Sequence, residues 1–209
     1  MNPTDPQVFT QLWAGGWYRF AARMRSPNFG LRPPGTLPDL IVLHCISLPP
    51  GHYGGDAVQR LFANQLDWNE HPYFKSIEPA RVSAHFYIRR HGELLQFVSS
   101  DDRAWHAGVS SYGGRDNCND YSIGIELEGL VGEHFEFAQY ETLAGLCSAI
   151  TQQYPIKHIV GHEHIAADRK SDPGAGFSWT GLQRALGLPS GCFPAGESLL
   201  AHAPATPHP

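Results

Sequence analysis

The chain has 209 residues, of which 42% are hydrophobic and 17% charged, a balance that suits one soluble globular domain with a full core. No apolar run reaches the roughly 20 residues that a membrane span needs, so an integral membrane protein is excluded. The formal charge is −5, and lysines and arginines are scattered singly apart from Arg89-Arg90, which leaves no basic stripe to neutralise nucleic-acid phosphates.

At the N-terminus, Asp5 and Gln11 stand where a secretory signal would have its basic region and apolar core, and Arg19, Arg23 and Arg25 come after the apolar stretch. No signal peptide is expected, which favours a cytoplasmic location. Cys45, Cys118, Cys147 and Cys192 show no CxxC pairing and read as four free thiols in a reducing compartment.

Asp39 to Ser47 reads as a buried strand, because Leu40-Ile41-Val42-Leu43 runs without alternation before His44 and prolines bracket the segment. A Pro-Gly-rich loop follows, and Asp56 is the expected N-cap of a helix with Val58, Leu61, Phe62 and Leu66 on one face. Arg81 to Arg90 alternates, with Val82, Ala84, Phe86 and Ile88 on one side and Ser83, His85, Tyr87 and Arg89 on the other; this predicts a half-buried strand. Gly92 suits a turn into a partner strand at Leu94–Val98.

A further strand is expected over Tyr121–Leu127, with Glu126 on the face opposite Ile123, Ile125 and Leu127. Residues 138–153 have helical spacing that ends at Pro155, a short strand at His158–Gly161 delivers His162, and Trp179–Leu186 predicts the last helix. Strands separated by helices, with a hairpin between, imply a single α/β domain with a central mixed β-sheet flanked by helices. The expected domain covers residues 1–188, and the Pro, Gly, Ala and His content of 189–209 predicts a loose tail.

His44 and His162 both sit at strand ends, where such sheets place ligands, and Asp172 follows closely in Lys170-Ser171-Asp172-Pro173-Gly174. If the three converge, two imidazoles and one carboxylate would offer zinc a first shell with a fourth position left for water. Individually each has an ordinary reading, since the chain holds 12 histidines and Asp172 also suits a turn before Pro173-Gly174. His164 is a rival ligand that we place outside the shell. A metal hydrolase also needs a base and an oxyanion partner, and Glu126 and Lys170 are the candidates, each readable alone as a solvent-facing charge.

Five ordered motifs run through the chain: Leu43-His44 with Ile46-Ser47-Leu48-Pro49-Pro50-Gly51, Val82-Ser83-Ala84-His85, Arg103-Ala104-Trp105-His106-Ala107-Gly108, Asn119 to Glu126, and Gly161-His162 with Arg169 to Gly174. Together, over about Gly16 to Leu186, they resemble the zinc-dependent N-acetylmuramoyl-L-alanine amidases, and within these the cytosolic enzymes of cell-wall recycling that act on 1,6-anhydro-N-acetylmuramyl peptides.

The resemblance implies an amidase or peptidoglycan-recognition type of fold that holds one zinc per chain on His44, His162 and Asp172. It makes Glu126 the general base and Lys170 the oxyanion partner. It places Tyr73, Arg81, His85, Trp105 and His106 at substrate-binding positions, with Arg81 holding a peptide carboxylate. The implied partner is a small muropeptide, with no nucleic acid, no membrane and no fixed oligomeric state. Cys45 and Asn117 depart from the usual pattern, where Asn and Arg are common.

Two other classes share parts of this pattern. A recognition module that binds without cleaving would be expected to lack a zinc ligand. An iron oxygenase with two histidines and a carboxylate typically brings a His-x-Asp/Glu pair on a many-stranded β-helix, which this chain does not offer.

Overall fold

The computed structural model describes residues 12–194. Its sheet is built from β1 (Ala22–Arg23), β2 (Leu40–Ile46), β3 (Phe86–Ile88), β4 (Leu94–Gln96), β5 (Ser122–Glu128) and β6 (His158–Gly161), in the spatial order β6-β2-β5-β3-β4-β1. The neighbours pair in parallel except the β3/β4 hairpin, so the sheet is mixed. The continuous apolar run of β2 has a simple cause: this strand lies between two others with both faces covered.

One face carries Ile41, Leu43, Phe86, Ile88, Ile123, Ile125, Leu127 and Ile159 against α3 (Phe137–Gln153), whose Leu143, Leu146, Cys147 and Ile150 form the stripe that the sequence spacing predicts. Each such side chain contributes roughly 1.5–3 kcal/mol relative to exposure. α5 (Trp179–Leu186) packs on the same core. The opposite face carries His44, Ser122, Gly124 and Glu126, and is covered by loops and the short helices α1 (Ala57–Phe62) and α2 (Pro72–Ser76) rather than by a long helix. The candidate residues His44 and Glu126 lie on this second face.

The pattern-based expectations need four corrections. The hydrogen-bonded strand in 81–90 is only Phe86–Ile88, because the chain bends earlier to pair the Ser83 N–H with the Trp105 carbonyl. That segment is buried on both faces from Ser83 to Ile88, and its polar side chains are matched internally: Ser83 donates to the Asn28 carbonyl and His85 accepts from Gly124 N–H. Asp56 precedes α1 (Ala57–Phe62) but makes no capping bond; its carboxylate pairs with Arg60, and Leu66 joins the same cluster from beyond the helix end. Finally, the packed structure continues past 188, since Ser190–Cys192 form a 3-10 turn and Phe193 is buried in the core; the rest of the expected tail, 195–209, lies outside the described residues, as do Asp5 and Gln11.

Candidate metal centre and active site

Parallel pairing sets His44 of β2 beside Glu126 of β5, and partners across a parallel ladder point to the same face. β6 ends one register step earlier, with Gly161 beside Leu43, so His162 enters the site as the first residue of the short helix α4 (His162–Ile165). Gly161 is needed there, because a Cβ would lie 2.7 Å from Pro173 Cδ. Pro173 packs on that bare backbone, and the Asp172 carbonyl accepts from Glu163 N–H at 2.9 Å, which fixes the Asp172 loop against α4.

The three side chains converge. His44 Nδ1 and His162 Nδ1 are 2.9 Å apart, and each is 3.2 Å from Asp172 Oδ2. No arrangement of protons on two neutral imidazoles and a carboxylate satisfies all three contacts, whereas a cation accepts all three lone pairs. Tetrahedral zinc with bonds of about 2.0–2.1 Å sets its ligand atoms roughly 3.3 Å apart, close to these separations. Among the described residues this trio is the one group of His, Cys, Asp or Glu side chains arranged to hold a metal.

Electrostatics suit the same role. Burial pushes His44 down to about 4 despite the neighbouring Asp172 carboxylate, so its ring is neutral and free to ligate at neutral pH. Burial opposes ionisation of Asp172, but the close approach of the His162 and His44 imidazoles outweighs it and holds the carboxyl well below the usual range. His164 stays out of the trio, with its Nδ1 accepting from Gly161 N–H at 2.9 Å.

Glu126, Lys170, Trp105, His106 and Tyr73 all line the cleft of about 340 Å³ that opens over the trio. Glu126 is 9% exposed, and its Oε2 has no hydrogen-bond partner. Burial and the neighbouring Asp172 charge raise its pKa well above the ordinary carboxyl value, while Lys170 partly opposes this. An unpaired, proton-hungry carboxylate in a cleft is the expected form of a general base.

Two of the expected substrate contacts are placed differently. His85 is fully buried and does not line the cleft; Gly124 N–H donates to its Nδ1, while Nε2 lies 3.1 Å from the Asp102 carbonyl. Arg81 is exposed beside the cleft, between lining residues Ala80 and Val82. Cys45 also lines the cleft, with Sγ 3.9 Å from the Pro173 carbonyl, and Asn117 adopts a left-handed φ of 56°, a conformation Asn tolerates well. Sequence reasoning gave no role to Ser122 and Asn119, whose bonds reach the metal trio only through other residues; the available signal was that Ser122 and Gly124 share the face of the strand that carries Glu126.

All four cysteines are free. No helix among the described residues is long and apolar enough to cross a membrane.

Residues 34–175 match the N-acetylmuramoyl-L-alanine amidase family. The chain is 50% identical over 177 residues to the 1,6-anhydro-N-acetylmuramyl-L-alanine amidase AmpD of Citrobacter freundii, covering 84% of this chain and 94% of that one. A crystal structure of selenomethionyl AmpD superposes with a TM-score of 0.82 at 48% identity, over 84% of this chain and 99% of the other. The AmiD amidase of Escherichia coli, solved with anhydro-N-acetylmuramic acid-L-Ala-D-γ-Glu-L-Lys, aligns with a TM-score of 0.53 at 27% identity, over 74% of this chain and 60% of that one. The family match spans the trio, the cleft and all of the sheet but the edge strand β1, and on that ground the chain belongs to the N-acetylmuramoyl-L-alanine amidase family.

Proposed function

We propose that this protein hydrolyses the amide between the lactyl group of 1,6-anhydro-N-acetylmuramic acid and the L-alanine of its stem peptide, as a zinc-dependent cytoplasmic enzyme of cell-wall recycling. The observation that carries the reading is the convergence of His44, His162 and Asp172 within 3.2 Å of one another, beneath a cleft that Glu126 and Lys170 also line. Similarity to AmpD over most of both chains supports the anhydro-sugar substrate.

His44, His162 and Asp172 would hold the zinc, which when bound supplies Lewis-acid activation of water and of the scissile carbonyl. Glu126 Oε2, unpaired and buried, accepts the proton of the attacking water and returns it to the departing L-alanine nitrogen. The Lys170 ammonium, at the cleft wall, offsets negative charge that builds on the carbonyl oxygen. Trp105 and Tyr73 offer aromatic surfaces for the sugar and peptide, and Arg81 stands at the edge for a stem carboxylate. Zinc is the expected resident metal because two imidazoles and a carboxylate suit it and leave a position open.

The reading is tested by incubating the protein with anhydro-muramyl peptide, ordinary muramyl peptide and intact sacculi, and identifying products by mass. Release of free stem peptide from the first substrate, in preference to the others, supports it. Efficient digestion of sacculi, or cleavage at a different bond, overturns the substrate assignment.

A further inference from the structure

His44 and His162 both turn Nδ1 toward Asp172, so their Nε2 atoms face into the protein. A histidine that ligates through Nδ1 must carry its proton on Nε2, and something has to enforce that tautomer. For His44 the direction can be followed from a group whose role is fixed. The Cys118 carbonyl only accepts, so the Ser122 hydroxyl, 2.6 Å away, spends its single proton there. Ser122 Oγ is then an acceptor for His106 Nε2, 3.1 Å away.

His106 is thereby protonated on Nε2 and presents a bare Nδ1, which lies 2.9 Å from His44 Nε2. His44 Nε2 donates into it, and His44 Nδ1 is left with its lone pair facing the trio. Ser122, His106 and His44 are all buried, at 0%, 9% and 1% exposure, so bulk solvent does not compete for these bonds. His162 is set separately, its Nε2 donating to the Ala107 carbonyl at 3.1 Å. Both supports come from adjacent residues, whose backbone N–H groups are clamped by Asn119 Oδ1 at 3.0 and 2.8 Å.

We propose that Ser122 and His106 form a one-way hydrogen-bond relay, starting at the Cys118 carbonyl, that locks His44 in the tautomer able to bind metal through Nδ1. His106 is then a positioning residue that acts through His44, rather than primarily a contact to the sugar. The proposal rests on the assignment of His44 as a metal ligand, but its tautomer claim for His106 holds with or without metal.

The test combines zinc affinity, by competition with a chromogenic chelator at fixed pH, with 15N-detected imidazole spectra of wild-type protein, metal-free and zinc-loaded. His106 is assigned by loss of its signals in His106→Asn. In wild type, His106 should be the Nε2–H tautomer in both states. Ser122→Ala and His106→Ala should each weaken zinc binding by about 10–100-fold. His106→Asn, which keeps an acceptor near the Nδ1 position, should retain more affinity than His106→Ala.

A proton on His106 Nδ1 in wild type overturns the relay whether or not the variants fold. So does zinc binding within about twofold of wild type in folded Ser122→Ala and His106→Ala, given the effect expected of such outer partners. Failure of wild type to bind zinc would instead sink the metal reading, leaving the His106 spectrum to decide the relay.

Discussion

Gly124 sits in the middle of β5 with the His106 ring against it, and adding one methyl group there should disturb the metal trio without touching it. A Cβ built on Gly124 lies 2.4 Å from His106 Cγ and 2.6 Å from its Cδ2 and Nδ1. Carbon atoms pack at about 3.5–4.0 Å, so the ring must withdraw by roughly 1 Å. The ring is bonded at both nitrogens, to His44 and to Ser122, and a rigid imidazole displaced that far cannot keep both contacts. Overpacking costs about 1–3 kcal/mol, and a buried polar group left without its partner costs about 1–3 kcal/mol more. For a chain of 209 residues this corresponds to a fall in Tm of roughly 5–20 °C. Calorimetry of metal-free Gly124→Ala measures it, and a double-mutant cycle isolates its cause. In a His106→Ala background the ring is gone, and the same change should be neutral or stabilising by up to about 1 kcal/mol, because the Gly124 backbone is not left-handed. Equal destabilisation in both backgrounds, or none in the first, would refute the steric account.

Glu126→Gln should retain zinc while turnover falls by roughly 10²-fold or more, and near-normal turnover would remove Glu126 from the mechanism. Because the folded state raises its pKa, the stability that Glu126 contributes to the metal-free protein is fully present below the ordinary carboxyl value of about 4.3 and is lost as pH rises through the higher folded-state value. The same variant should therefore melt higher than wild type at pH 7, with the difference shrinking toward pH 4; equal melting at pH 7 would show that its burial carries no penalty. Lys170→Met should lower kcat by roughly 10²-fold with little change in KM, and unchanged kcat would take the ammonium away from the oxyanion. Arg81→Ala should raise KM for peptides with a free stem carboxylate more than it lowers kcat, and a pure kcat loss would place Arg81 elsewhere.

The residues that touch the metal position were legible because their sequence settings are unusual. His44 ends an unbroken apolar strand, and His162 follows a glycine at another strand end; only strand pairing was needed to bring them together. The second face of the sheet was harder to read. Alternation over 81–90 suggested one wet face, yet Ser83 and His85 are buried there because the loop through Trp105 and the Asn28 carbonyl supply their partners. Partners of that kind come from segments remote in sequence, and periodicity carries no information about them. His85, which the family resemblance placed at a substrate-binding position, is fully buried among such partners, and the strand pattern that shows Ser122 carries nothing of its bond to His106. Gly124 is plain in the sequence as a residue without a side chain, but what approaches its bare backbone depends on the tertiary fold.

The central claim is that His44, His162 and Asp172 hold one catalytic zinc. It is tested most directly by measuring metal content and anhydro-muramyl peptide cleavage together, in wild type and Asp172→Ala, before and after chelation and zinc return. The account predicts one zinc per wild-type chain, activity lost on chelation and restored by zinc, and neither metal nor activity in Asp172→Ala. Full activity in chelated wild type, or a metal-loaded and active Asp172→Ala, would contradict it.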